Sequence, residues 1–271
     1  MLGMLLVLLG QVDLTDPSKP ETEFSIRVSP LYRWISGTGQ AREDPVPGTR
    51  LGLNEDLGVE QQAGVNVQVE LDTRSVHALM EIEEAYGFGG TSTGDPFAWT
   101  GTVYDAPSQV RSHSSFLTLW TLVAFKLIPM DMLRSWIGPV VGLEYPNYTV
   151  STGTNRQHGT TEEWSHYLPY PVVGAAGYLE IDKEFSLRPW VTVGYLPNVP
   201  TPFTEGGGRI EVSVRPSVNV EIPLVWRAGS SVDLTLSATF QYWSGWDHSD
   251  EEENRLTFWS TGLMAGASVR W

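Results

Sequence analysis

Apolar and polar residues alternate with a period of two along most of the chain, from Phe24 to the last residue. In the clearest stretch, apolar residues occupy the even positions from Ile210 to Ile222 and polar residues occupy the odd positions from Arg209 to Glu221. Residues 232–242 repeat the pattern. Because successive side chains of a strand point to opposite faces, this period predicts β-strands with one apolar and one polar face.

The pattern predicts ten strands, near residues 22–36, 63–72, 75–86, 108–127, 133–148, 166–181, 184–197, 208–224, 231–244 and 255–271. Short connections alternate strictly with longer polar or Gly/Pro-rich segments, which are 37–64, 87–107, 149–165, 198–207 and 244–254. Bacterial outer-membrane barrels have this asymmetry, with short periplasmic turns and long external loops.

The residues on the two faces favour a membrane barrel over a soluble sandwich. The polar face carries mostly Ser, Thr, Gln and Asn, and aromatic residues such as Trp34, Tyr145, Trp226 and Trp259 lie toward strand ends. Aromatic residues at both interfaces are typical of membrane proteins. No run of 18 apolar residues exists, which excludes an ordinary transmembrane helix. We therefore predict an all-β fold: a closed antiparallel transmembrane β-barrel of about ten strands, with its N-terminus in the periplasm.

Charge and cysteine content narrow the function further. With 17 basic and 32 acidic residues the formal charge is −15, so the chain lacks the basic excess of a nucleic-acid-binding protein. It has no cysteine, which excludes disulfides, thiolate metal sites and cysteine nucleophiles. We expect no cofactor and no metal.

The first residues indicate export. Residues 1–10 form an apolar run of the length of a signal-peptide core, although no Lys or Arg precedes it and no cleavage site is clear. We interpret 1–10 as a partial signal peptide, 11–21 as an N-terminal periplasmic segment and 22–271 as the barrel. The alternative for 1–10 is a buried N-terminal strand.

The last residues carry a resemblance to a known class. Leu263, Ala265, Ala267, Val269 and Trp271 alternate with Met264, Gly266, Ser268 and Arg270, and the chain ends on the aromatic residue. This resembles the closing strand of bacterial outer-membrane β-barrel proteins, in which a C-terminal aromatic residue is recognised during assembly. The resemblance implies an assembly signal at Val269 and Trp271 and a location in the outer membrane of a Gram-negative-type envelope. It also implies partners: outer-membrane lipids, lipopolysaccharide and the barrel-assembly machinery. It leaves the oligomeric state open.

Two patterns could carry chemistry. His113 and Ser115 resemble the His-x-Ser pair that lipid A deacylases of the outer membrane carry on a barrel strand, where the His activates the Ser. In that family an Asn follows the Ser, whereas Phe116 follows Ser115 here. The alternative is that His113 and Ser115 are two polar residues near a loop without a catalytic role.

Omptin proteases are also ten-stranded barrels, with Asp and His pairs in external loops. The spacing of Asp95, Asp105, Asp247 and His248 does not match theirs.

The polar face contains charges of both signs. Buried charges need partners, so we predict a lumen network of ion pairs. Its predicted members are Arg27, Arg33, Glu70, Asp72, Glu81, Arg209, Glu211, Arg215, Glu221 and Asp233, joined by Glu83, Arg188, Arg255 and Arg270. A selectivity filter is the alternative, although ten strands lie closer to the filled eight-stranded barrels than to the open sixteen-stranded ones.

The sequence thus predicts an outer-membrane barrel with a structural or surface-binding role, or a narrow porin-like pore for small solutes. It favours a non-enzymatic protein and leaves enzymatic activity open. The alternatives are a membrane-embedded lipid A-type hydrolase that uses His113 and Ser115, and an exported soluble β-protein that binds lipid or sugar. Ligand, solute and the state of the lumen, open or plugged, are not determined.

Overall fold

A computed structural model describes residues 22–271 apart from 94, 106–107, 131–134, 155–158, 165–166, 206–207 and 251. The predicted signal segment 1–10 and the segment 11–21 lie outside the described residues. No helix in the described part of the chain is long and apolar enough to cross a membrane.

Ten long strands form the structure, and we number only these. They are β1 (Glu23–Glu43), β2 (Gln61–Asp72), β3 (Val76–Thr93), β4 (Ser108–Phe125), β5 (Ser135–Thr154), β6 (Tyr170–Glu180), β7 (Trp190–Glu205), β8 (Gly208–Arg227), β9 (Val232–His248) and β10 (Glu252–Arg270). Each pairs antiparallel with the next, and β10 pairs with β1 from Ser25–Arg270 to Glu43–Glu252. The sheet is therefore closed and has no free edge, which confirms the predicted fold class.

The two ends of the barrel differ. At one end the connections are 73–75, 126–134, 181–189 and 228–231, of which the second and third contain the short strands Ile128–Met130 and Phe185–Leu187. At the other end lie 44–60, 94–107 and 155–169, which contain the short strands Leu51–Gly52, Phe97–Trp99, Thr102–Tyr104 and Thr160–Trp164. Following the rule for bacterial barrels, we call the first end periplasmic and the second external.

The strands run further toward the external end than the alternation predicted. Most of the predicted loop 198–207 belongs to β7, and most of the predicted loop 244–254 belongs to β9 and β10. The connections that remain there are only 206–207 and 249–251. The reason is that outward side chains beyond the lipid need not be apolar, so the apolar half of the pattern disappears while the strand continues.

The outer face carries a continuous apolar belt. Each of the ten strands contributes at least one large apolar side chain that is 40–59% exposed, namely Val28, Val65, Ile82, Phe125, Val141, Val173, Val193, Ile222, Leu236 and Leu263. Aromatic residues border the belt, with Trp34, Tyr86 and Trp259 toward the external side and Phe24 and Trp226 toward the periplasmic side. Such a surface is unfavourable in water and is the lipid-facing surface of a transmembrane barrel.

A bulge in β8 overturns one predicted face. Between Val214 and Val218 the strand advances four residues while its partner β9 advances three, from Gly245 to Tyr242. One extra residue reverses the facing of everything beyond it. Ile210, Val212 and Val214 are therefore buried inside the barrel, whereas Ile222 faces outward and is half-exposed. The prediction that all even positions from Ile210 to Ile222 share the lipid face is wrong.

The depth of the belt can be tested on one strand. Val141 and Thr149 both point outward from β5, but Val141 lies mid-belt and Thr149 lies beyond its external border. An Arg at the lipid midplane costs about 2–4 kcal/mol, and about 0–1 kcal/mol near the interface. We expect Val141→Arg to lower the free energy of unfolding, measured by urea titration in lipid vesicles, far more than Thr149→Arg. Equal losses would contradict the assigned belt.

Candidate functional site

Two arginines of β1 point into the lumen and are fully enclosed. Arg27 Nη2 donates to Glu221 Oε1 at 2.7 Å, and the two side chains are only 4% and 2% exposed. Glu221 also accepts from Trp190 Nε1 at 3.1 Å. Arg33 lies six residues further along β1 toward the external end, and it donates to Glu83 Oε1 at 2.6 Å and to Gln62 Oε1 at 2.6 Å. Because β1 alternates without a bulge here, its odd positions all reach this interior.

Two further glutamates are buried in the lumen, and among the described residues no arginine is hydrogen-bonded to either of them. Glu81 accepts from Asn66 Nδ2 at 2.5 Å and from Gln68 Nε2 at 2.9 Å. One oxygen of Glu144, on β5, accepts from Ser217 Oγ at 3.0 Å and Asn219 Nδ2 at 3.1 Å, both on β8. These contacts tie together strands that are not neighbours in the sheet. They supply the donors that a carboxylate needs when it is removed from water.

A cavity of about 290 Å³ opens at the periplasmic end of the lumen. Arg188 Nη1 lies 3.2 Å from Glu70 Oε2, and Arg188 and Arg270 lie 3.8 Å and 3.0 Å from Asp233 Oδ2. Two residues from Glu70 on the same strand, Asp72 Oδ1 contacts Lys126 Nζ at 2.5 Å and His77 Nδ1 at 3.2 Å. Cavity walls of mixed sign favour neither anions nor cations strongly.

The external half of the lumen is filled by apolar side chains. Tyr148 on β5 and Phe258 on β10 stand on opposite sides of the ring, and their ring centroids are 5.2 Å apart. Trp243 lies 4.9 Å from Tyr148, and Phe116 lies 4.8 Å from Phe258. We call this the external plug; its largest members, all less than 2% exposed, are Leu53, Leu57, Trp99, Tyr104, Phe116, Tyr148, Tyr167, Trp243, Leu256 and Phe258.

The external connections contribute to this plug. Leu53 and Leu57 come from 44–60, and Trp99 and Tyr104 come from the hairpin Phe97–Trp99 and Thr102–Tyr104. Tyr104 Oη lies 2.9 Å from Thr160 Oγ1, which joins the second connection to the third. Burial raises the pKa of Tyr167, in the third connection, well above its ordinary value. The connections therefore fold into the barrel mouth and do not stand open around it.

The structure divides the predicted lumen charges into two groups. Seven of the ten main members line the interior: Arg27, Arg33, Glu70, Asp72, Glu81, Glu221 and Asp233. Arg209 and Glu211 do not, because they lie beyond the β8 bulge and point outward. Arg215 lies within the bulge and also points outward, as does Arg255 on β10. Their assignment to the lumen is wrong. Glu83, Arg188 and Arg270 do take part in the interior ion pairs.

Sequence reasoning missed several interior residues. Glu144, Gln62, His77 and Lys126 hold interior contacts but were not among the predicted members. The plug was also missed. Phe116, Tyr148 and Phe258 occupy inward positions by strand alternation, and this could have indicated the plug if the strands had been extended beyond the belt.

His113 and Ser115 lie together on the outer face of β4. Going along β4 toward the external end, the outward residues are apolar up to Leu117, and Ser115 and His113 are the next two outward residues. They therefore lie at the external interface of the membrane. His113 packs on Phe88, with centroids 5.8 Å apart, and Ser115 pairs in register with Tyr86, whose hydroxyl donates to Glu84. No hydrogen bond joins His113 to Ser115 among the described residues. Asp247 and His248, by contrast, point to opposite sides of the wall.

At the C-terminus, the main chains of Trp271 and Phe24 exchange two hydrogen bonds, and their rings lie 5.3 Å apart. Val269 and Trp271 are exposed at the periplasmic edge of the belt. The assembly signal assigned to them stays a prediction.

No family model matches the chain, and no curated protein matches it. Solved structures do. The outer membrane protease OmpT from Escherichia coli aligns over 91% of this chain and 97% of its own at a TM-score of 0.52, with 11% identity. The transport unit of the autotransporter AIDA-I from Escherichia coli aligns over 97% and 96% at a TM-score of 0.39 with 8% identity. OprG from Pseudomonas aeruginosa aligns over 93% and 97% at 0.37 with 7% identity.

The closed barrel, the apolar belt and the likeness in fold to OmpT all indicate the same class of protein. The protein is a bacterial outer-membrane β-barrel, which confirms the predicted class and location. At this level of identity the likeness concerns the fold alone.

The lumen pair can be tested against a surface pair on the same strand. Removing one partner of a buried ion pair costs about 3–5 kcal/mol, whereas an exposed pair contributes about 0–1 kcal/mol. Arg42 pairs with Asp44 at 2.5 Å with both side chains more than 40% exposed. We expect Arg27→Leu to lower the free energy of unfolding in lipid vesicles strongly and Arg42→Leu to leave it nearly unchanged. A small effect at Arg27 would mean that Glu221 is not held in a dry interior.

Proposed function

We propose that the protein is a closed, non-conducting barrel with a structural or surface-binding role. The observation that supports this most strongly is the external plug. Tyr148 and Phe258 meet across the full width of the ring, and Trp243, Phe116 and side chains from three external connections pack around them. A water-filled pore needs a polar, unfilled path, and aromatic side chains packed at van der Waals distance leave none.

Polar contacts below the plug support the same proposal. Gln241 on β9 donates to Tyr148 Oη at 3.2 Å, and Arg33 lies over the ring of Phe116 at 5.7 Å. The plug is thus anchored to the ion pairs beneath it. Displacing it would break the hydrogen bond from Gln241 and the contact between Arg33 and the ring of Phe116, so a spontaneous opening would cost more than the loss of apolar packing alone.

A recording in planar bilayers tests the proposal. We expect the refolded wild type to show no steady conductance under conditions in which a known porin gives clear steps. The double variant Tyr148→Ala/Phe258→Ala removes the pair that meets across the ring and should introduce conductance, provided that its mobility on unboiled gels shows a folded barrel. Steady conductance of the wild type would refute a closed barrel.

A second candidate function is hydrolysis of a lipid ester by His113 and Ser115. The observation that favours it is their position: both face lipid at the external interface, where ester groups of membrane lipids lie. His113 would accept the proton of Ser115 Oγ as this oxygen attacks the ester carbonyl, and would pass that proton to the alcohol oxygen as its bond to the acyl carbon breaks. Water, activated by His113, would then attack the acyl-enzyme, release the fatty acid and return the proton to Ser115 Oγ.

Mass spectrometry of lipid A separates the two candidates. A hydrolase would remove one acyl chain in cells that express the wild type, Ser115→Ala would restore the chain, and Ser151→Ala on the neighbouring strand would not. For the closed, non-enzymatic barrel we expect identical spectra with and without the wild type. Loss of an acyl chain that depends on Ser115 would establish the hydrolase instead.

A further inference from the structure

A cleft of about 290 Å³ lies on the outer wall, toward the external end of β1, β8, β9 and β10. Its lining includes Arg50, Arg215, Arg255, Gln40, Trp246 and Thr257. The flanking residues of the same strands, among them Ala41, Trp243, Leu256 and Phe258, are buried in the interior. By strand alternation the cleft side chains therefore point away from the lumen. Arg215 comes to this face because the β8 bulge turns it there.

Positive charge in the cleft is not neutralised. Arg50 donates to Thr38 Oγ1 at 3.2 and 3.3 Å, and neither Arg50 nor Arg215 forms an ion pair within the described part of the chain. Arg255 does have a partner, Glu253, at 2.5 Å. Partial burial acts to raise the pKa of Glu253, but hydrogen bonds from Arg255 and Trp246 act in the other direction and outweigh it. The pKa of Glu253 is therefore below its ordinary value, and its carboxylate stays ionised beside Arg255. In a chain with a formal charge of −15, two arginines without an ion-pair partner that line one cleft are an uncommon local excess.

The position of the cleft relative to the belt indicates what reaches it. Below the cleft, the next outward residues are Tyr242 on β9 and Trp259 on β10, and Trp34 follows Ser36 on β1. The apolar belt begins below these aromatic residues. Tryptophan and tyrosine mark the level of lipid headgroups. The cleft therefore begins where the headgroups of the external leaflet lie, and it faces the membrane plane and not the lumen.

Guanidinium groups match phosphate oxygens in charge and in planar geometry, and often bind them through two parallel hydrogen bonds. Thr257 and Gln40 line the same cleft, where Thr257 Oγ1 lies 2.8 Å from Ser244 Oγ and Gln40 Nε2 donates to the carbonyl of Gly48 at 2.8 Å. We propose that this cleft binds a phosphate group of the phosphorylated lipid of the external leaflet, lipopolysaccharide. The proposal does not depend on whether the barrel conducts.

The variant that tests it is Arg50→Gln/Arg215→Gln. Its matched control is Arg42→Gln/Arg209→Gln, which removes the same charge from outward positions at the external end, outside the cleft. The purified barrel in detergent micelles is titrated with diphosphoryl lipid A, dephosphorylated lipid A or inorganic phosphate, and bound species are counted by native mass spectrometry. Unchanged mobility on unboiled gels shows that each variant is folded.

We expect the wild type to bind diphosphoryl lipid A at least about tenfold more tightly than the cleft variant does, since each lost charged hydrogen bond accounts for roughly that factor. The control should bind as the wild type does, and dephosphorylated lipid A should bind weakly to all three. An equal loss in the control would overturn the site. Inorganic phosphate that binds as tightly as diphosphoryl lipid A would overturn the lipid as its occupant.

Discussion

Pairing of β1 with β10 is the interaction on which the rest of the structure depends. Every main-chain N–H and C=O in the hydrocarbon region needs a partner from the protein, because lipid offers none. An open ten-stranded sheet would leave two unpaired edges in that region. The continuous register from Ser25–Arg270 to Glu43–Glu252 removes both edges, and the exchange between Phe24 and Trp271 extends it to the last residue.

Closing the ring creates an interior that must be filled, and the chain fills it in two ways. In the middle, charged and amide side chains from strands that are not neighbours pair with one another, as Arg27 does with Glu221 and Glu144 with Asn219. Toward the external end, aromatic rings meet across the lumen. Arg33 links the two layers, since it pairs with Glu83 and lies over Phe116. A ring of ten strands is narrow enough for such side chains to reach each other.

The outer surface has an apolar zone and a polar zone, because only part of the wall is in contact with lipid. Where the wall meets lipid, outward positions are apolar. Beyond Trp34 and Trp259 the same strands continue with Gln40, Arg42 and Arg255 outward. Because the lumen is filled, the rim and the outer wall are the surfaces that a ligand can reach.

The sequence by itself determined the strand number, the closed barrel and most of its inside and outside, because alternation is a local property that each strand displays independently. It also indicated that Arg27 and Glu221 face the lumen. Only the tertiary structure decided which charges meet, since their partners lie on strands distant in the chain. It also decided the facing of Ile210, Arg209 and Arg215. One extra residue in β8 reverses their side of the wall, and the extra residue becomes visible only when β8 is paired with β9. The external plug was hidden for a related reason: above the lipid both faces of a strand are free to change character, so the period no longer distinguishes inside from outside.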